Sequence, residues 1–289
     1  MSRLLRYERE QLRRIRQWRG APPGPATRAF GQAAAPAAEA VEKMVPPVLL
    51  RLALQSVHAA GVRLSDRRSI LRRAGLTELP ALRHGPLQRC DELAAHVRAR
   101  AVALAGGSGA LFGVAGTLGL IADVPTLLTL TFRTIHRIGL CYGEDLAPPE
   151  RRHTVVAMFA LACANSMDEK RQALAAVDAD GGSDDVDEVG GGVRWREGIE
   201  RAAERELAKE AAIFSLNNLG KQVAKHLGWR KAAESLPVMG AVVGGSVNAW
   251  YLNDVALAAQ RSFQWRWLLA RHGTLPAVAE PLPAPGTTL

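Results

Sequence analysis

Apolar residues recur at helical spacing from the start of the chain. Leu5, Leu12, Ile15 and Trp18 fall near one face of a helix over residues 2–19, and seven arginines occupy its other faces. A basic amphipathic helix of this kind either docks its stripe on the protein body or lies on an anionic membrane. The stripe is thin, which favours docking; Arg13, Arg14 and Trp18 are the residues a membrane surface would meet. "GAPPGPATRAFGQAAAPAAEA" follows as the start of a Pro/Ala-rich linker over 21–45. Helices are then predicted over 46–62, 66–75 and 88–104, the second opened by a Ser65 cap and stopped by Gly75. Asp123–Gly143 reads as a helix closed by its glycine. Arg151–Met167 reads as an apolar helix too short to span a bilayer, hence a core helix. Residues 178–192 form an acidic, glycine-rich flexible loop. It fails as a calcium loop, because its sixth and twelfth positions are Ser183 and Val189 rather than glycine and glutamate. A charged helix over 195–227 and a disordered tail over 273–289 complete the chain, with 46–272 as the helical domain.

The centre carries an ungapped internal similarity. "GALFGVAGTLGLIADVPTLLTLTF" from Gly109 and "GAVVGGSVNAWYLNDVALAAQRSF" from Gly240 share six identities in twenty-four positions, in the frame GAxxG, nine residues, DV, seven residues, F. Gly109 and Gly113 pair with Gly240 and Gly244. Such spacing clears one helix face for close backbone contact, in lipid or in a tight soluble bundle. The expected fold is therefore all-α: a helical bundle with two glycine-zipper hairpins related by this weak repeat. Ala101–Ala122 and Ser235–Asn253 carry no formal charge and are long enough for spans. An aspartate follows each at once, which suits a shallow hairpin or a buried soluble pair better than two spans. Trp265 and Trp267 flank the second unit as interfacial aromatics would.

Charge changes the picture only in the first third. Residues 1–100 hold nineteen Lys/Arg against eight Asp/Glu, a net +11, whereas the whole chain is +9. That asymmetry fits either a solvated basic face or an anionic partner, and an anionic membrane surface or a membrane protein is preferred to nucleic acid. Aromatics are few and alanine and glycine are many, which favours helix. Three scattered cysteines and the lack of an apolar leader fit a reduced, cytoplasmic chain, peripheral on the inner membrane face.

Catalytic motifs are weak. Gly107, Gly109 and Gly113 give GxGxxxG without a βαβ context, and Gly106, Ser108 and Ala110 give GxSxA rather than a nucleophile elbow. No metal or other cofactor is expected. The candidate polar site is Asp123 with Asp254. Each either caps the helix after its glycine-rich stretch, as Pro125 favours for the first, or faces the other across a pocket, with Asn248, Arg133 and Arg137 as partners.

Three stretches carry a family resemblance. "GGSGALFGVAGTLGLIADVPTLLTLTFRTIHRIGLCYGED" and "LPVMGAVVGGSVNAWYLNDVALAAQRSFQWRWL" closely resemble the two central motifs of the EcsC protein family, and "YEREQLRRIRQW" resembles its opening helix. The matching positions are Gly109, Gly113, Asp123, Tyr142, Gly143, Asp145, Pro237, Gly240, Gly244, Asn248, Asp254, Arg266 and Trp267. The resemblance implies a helical protein and transfers no catalytic residue; the family is named for a gene beside a bacterial ABC transporter. The resulting expectation is a membrane-associated accessory protein linked to transport or lipid. The alternative is an enzyme or ligand-binding protein with its pocket near Asp123 and Asp254.

Overall fold

The structure, a computed structural model, describes residues 4–24, 27–28, 47–114, 116–179 and 236–275. All regular structure among these residues is helical. The order is α1 (Arg6–Gly20), α2 (Pro47–Leu64), α3 (Arg67–Ala74), α4 (Pro80–His84), α5 (Leu87–Val114) and α6 (Gly116–Cys141). A 3-10 turn at Pro149–Arg151 follows, then α7 (Arg152–Cys163), α8 (Met167–Ala179) and α9 (Leu236–His272). The 195–227 helix lies outside the described residues, as do almost all of the linker, the acidic loop and the tail.

Three long helices form the frame. Gln264 on α9 donates to Asp91 on α5 at 2.8 Å, and further along Arg98 on α5 donates to Asn253 on α9 at 2.9 Å. Numbering rises on one helix as it falls on the other, so the pair is antiparallel. α6 runs back along α5 in the same sense. Tyr142, just past the end of α6, donates to Asp91 at 2.5 Å, while Ala101 and Thr134 meet at one crevice further along. α5 and α6 are therefore antiparallel, with Val114 and Gly116 at the same end. Buried Phe132, Ile135 and Ile138 of α6 pack with Phe159 of α7 and Phe263 of α9. α7 buries Val155 through Leu161 without a break, as a core helix should.

α1 docks on this frame. Leu12 and Ile15 are fully buried in the common core. At its C-terminal end, Lys170 of α8 donates to the carbonyls of Trp18 and Ala21 at 2.5 and 2.7 Å, binding the carbonyl end of α1 with a positive charge. At its N-terminal end, Glu8 accepts from the Leu5 N–H at 2.8 Å, the returning half of a capping box.

Helix ends differ from expectation in three places. The cap of α3 is Asp66, which accepts from the Ser69 N–H at 3.2 Å; Ser65 instead donates its hydroxyl to Val62. Gly75 stops α3 as expected, in the left-handed region at φ 61°. The larger correction concerns Asp123 and Asp254: neither stands at the start of a helix, since they lie inside α6 and α9. α5 continues through the glycines to Val114, and Pro125 falls within α6 rather than at its start. Each glycine costs about 1 kcal/mol against alanine, and the long α5–α9 packing offsets that local preference. The second glycine-rich unit is accordingly one unbroken helix.

Candidate functional site: an arginine cleft beside a charge-free tip

The antiparallel frame brings the two uncharged stretches to one end. Since Arg98 lies level with Asn253, the segment 236–252 runs alongside 99–114, and the helix ends Val114 and Gly116 stand at the same end. Ala101, Ala105, Leu127 and Leu252 form a small apolar cluster at the base of this tip, separate from the main core. Beyond Arg100, α5 carries no charge, and none precedes Asp254 on α9; α6 contributes only Asp123. The fourteen residues of α5 in the tip span about 20 Å at 1.5 Å per residue. Leu104 is 48% exposed there.

Arginines gather where the tip begins. Arg137, from α6, is 8% exposed and donates to the Ser65 carbonyl at 2.9 Å and to the Ser69 hydroxyl at 3.1 Å. Arg133, one turn nearer the tip, donates to the Leu64 carbonyl at 2.9 Å. These bonds fix both guanidinium groups against the α2–α3 junction. Beside them opens a cleft of about 530 Å³ between α3, α5 and α6, lined by Ser69, Arg72, Arg73, His96, Arg100 and Arg137. A narrower crevice continues it toward Leu104, sharing Arg100 and Arg137. Among the described residues, none of these arginines forms an ion pair; Asp66, bound to the Ser69 N–H, is the acid whose charge reaches Arg133 and Arg137. Burial and then the mutual repulsion of Arg100, Arg133 and Arg137 push the pKa values of Arg133 and Arg137 down. His96 is also pushed down, by burial and then by Arg73, Arg100 and Arg137, and its buried Nε2 has no hydrogen-bond partner.

The structure separates the residues proposed for a joint site. Arg133 and Arg137 face the α2–α3 junction. Asp254 on α9 is half-buried and accepts from Thr27 at 3.4 Å; burial raises its pKa against the bonds from Thr27 and Asn253. Asn248 is buried on the same helix. Asp123 lies on α6 about 15 Å nearer the tip than Arg133, counting 1.5 Å per residue. Asp254 sits at the level of Arg98, so the two aspartates occupy different heights of the bundle. Gly109, Gly113, Gly240 and Gly244 all lie on the tip portions of α5 and α9.

Trp18, Trp265 and Trp267 pack in or against the core. Trp267 is 3% exposed, Trp265 lies under the Arg19 guanidinium at 4.7 Å, and Trp18 lies under Lys170 at 4.6 Å. Arg13 and Arg14 are exposed and share Glu10, at 2.8 and 2.9 Å.

Other motif positions also prove architectural. Asp91, on α5, accepts from Tyr142 and Gln264 and from Tyr7 on α1, the last at 2.7 Å, so one buried carboxylate ties four segments together. Gly143, at φ 79°, lies where a Cβ would come within 2.7 Å of the Arg83 nitrogen. Arg266 forms a buried ion pair with Glu144 at 2.8 Å. Asp145 accepts from the Ala147 N–H at 3.0 Å and from Arg67 at 3.2 Å. Sequence reading missed Arg72, Arg73, His96 and Arg100. Their trace is in "SILRRAG" and "HVRAR", where basic residues recur without acids between them, yet only the packing of α3 on α5 and α6 faces them together.

The chain is 28% identical over 196 residues to the Bacillus subtilis (strain 168) protein named "Uncharacterized protein YdbA", a match that covers 67% of this chain and 63% of that one. No solved structure matches it. The EcsC protein family model matches residues 9–268, from within α1 almost to the end of α9. That match takes in the docked first helix, the Asp91 tie, the arginine cleft and the tip as one unit, and the chain belongs to the EcsC protein family.

Proposed function

We propose that this chain is a membrane-associated accessory protein that rests on an anionic leaflet by the charge-free end of its bundle. The observation that carries the reading is the convergence of 101–122 and 236–253 at one end, bordered by Arg98, Arg100, Arg133 and Arg137. An apolar tip with a basic collar suits the boundary between acyl chains and lipid phosphates. Among the described residues no helix is long and apolar enough to cross a membrane, so the contact proposed is shallow. α1, with its apolar stripe engaged in the core, contributes structure rather than an anchor.

Vesicle flotation tests this. The full chain is expected to float with vesicles of phosphatidylcholine and phosphatidylglycerol at low salt. Leu104→Glu places a charge on an exposed tip position and is expected to abolish flotation while leaving helicity and melting unchanged. A wild-type chain that stays with the dense fraction, or a variant that floats undiminished, rejects the reading.

A further inference from the structure

We infer that the cleft between α3, α5 and α6 is a binding site for a phosphomonoester group, held by Arg72, Arg73, Arg100 and Arg137 with Ser69 and His96 beside it. The inference stands whether or not the tip reaches lipid, because it rests on the cleft alone.

Charge comes first. The cleft presents four guanidinium groups, and the nearby carboxylate, Asp66, is engaged at the N-terminus of α3. Like charges converging in a concave space repel one another and focus positive potential into it. A doubly charged anion relieves that repulsion better than a carboxylate does. Planar, forked donors match phosphate oxygens, which is why arginine recurs wherever phosphate is bound.

Pre-organisation comes second. Arg137 is held by the Ser65 carbonyl and the Ser69 hydroxyl, at 2.9 and 3.1 Å, so its position is fixed before a ligand arrives. Arg72, Arg73 and Arg100 are exposed and unpaired among the described residues, free to close from the rim. The His96 Nε2, buried without a partner, can donate to a phosphate oxygen.

Size comes third. A volume of about 530 Å³ falls within the range of small-molecule pockets and exceeds what a bare phosphate fills. The crevice past Ala101 to Leu104 has room for little more than one water, about 10 Å³, so a body attached to the phosphate extends from the open mouth of the cleft. The shared chemistry is thus a terminal phosphate on a larger body, supplied either by a soluble phosphomonoester or by a lipid such as phosphatidic acid.

The soluble arm uses glycerol 3-phosphate and the full chain in calorimetry at constant ionic strength. Saturable binding at one site per chain is expected, weakened about tenfold by Arg100→Gln and further by the added Arg72→Gln and Arg73→Gln. These three side chains are exposed, so the variants should melt as the wild type does. Arg13→Gln, on the exposed face of α1, should bind as the wild type. His96, faced by Arg73, Arg100 and Arg137, should show a raised pKa by NMR when the probe is bound. The vesicle arm compares phosphatidic acid with phosphatidylglycerol at matched surface charge. A preference for phosphatidic acid that Arg100→Gln removes identifies the lipid source; soluble binding with equal flotation on both identifies the free source. Leu104→Glu that loses flotation yet keeps glycerol 3-phosphate marks the membrane contact as separate from the site. The inference is overturned by the absence of both saturable soluble binding and phosphatidic acid preference. It is equally overturned if Arg13→Gln weakens binding as much as Arg100→Gln.

Discussion

At the scale of single residues, two buried groups make stability predictions. Asp91 is buried with three donors on its carboxylate, and burial raises its pKa while the bonds from Tyr142, Tyr7 and Gln264 lower it. Tyr142→Phe removes one donor from a carboxylate that cannot reach water instead, and is expected to cost about 2 kcal/mol in urea unfolding. Combining it with Tyr7→Phe should give a non-additive total, since both hydroxyls serve one acceptor. Strict additivity would show that Asp91 is not the shared partner. His136 raises a question of pH. Its ring lies 4.9 Å from that of His58, and burial, then the neighbouring His58, lower its pKa to about 3. The unfolded imidazole takes a proton near pH 6.5, whereas the folded one does not, so stability falls as pH drops below 6.5 and continues falling to about pH 3. Between pH 7 and pH 5 the loss should be about 2 kcal/mol from His136. His58, lowered by burial and then by Arg152, adds to it. His136→Phe should flatten the curve in this window by that amount; a variant that keeps the full slope locates the titration elsewhere.

At the scale of elements, the crossing of α2 and α6 depends on the missing side chain of Gly61. A Cβ there would lie 2.9 Å from the Phe132 Cβ and 3.0 Å from the Arg133 nitrogen. Neither neighbour can yield, because Phe132 is fully buried and the other atom is backbone. Gly61→Val should therefore cost about 2–3 kcal/mol despite the better helix propensity of valine over glycine, and a melt as high as wild type would mean that α2 shifts freely. The same competition between local preference and packing explains which elements were legible. α7 and the Gly75 stop follow from apolar runs and a left-handed glycine, which are local signals. The extension of α5 through its glycines, and the passage of α6 and α9 across Asp123 and Asp254, follow from contact between distant segments. A glycine-rich stretch, an aspartate and Pro125 all read locally as a helix boundary; only the α5–α9 partnership overrides them. The docked stripe of α1 was legible because Leu12 and Ile15 repeat at helical spacing.

At the scale of the whole molecule, the sequence showed that charge was unequally placed but not where it would gather. The net +11 of residues 1–100 is visible by counting. Part of its sorting is local, Arg13 and Arg14 going to Glu10 within α1; the rest is a tertiary fact, Arg19 going to Asp178 while Arg72, Arg73 and Arg100 join Arg137 from the second half of the chain at one cleft. This distribution makes a prediction for salt. The membrane contact has two parts, an apolar tip that salt leaves in place and the arginines of the collar and the adjoining cleft, which salt screens. The screening length shortens from about 10 Å at 0.1 M to about 3 Å at 1 M. Partitioning onto anionic vesicles should therefore fall steeply over that range yet level off above zero. Each arginine near an anionic surface contributes about 1 kcal/mol, so replacing Arg72, Arg73 and Arg100 by glutamine should lower low-salt partitioning about a hundredfold. The same triple variant should match wild type at high salt, where only the tip acts. Leu104→Glu should reverse the pattern, lowering partitioning at both salt concentrations. Parallel salt curves for wild type and the triple variant would show that the basic cleft does not face the leaflet. The apolar tip would then have to hold the protein there without it.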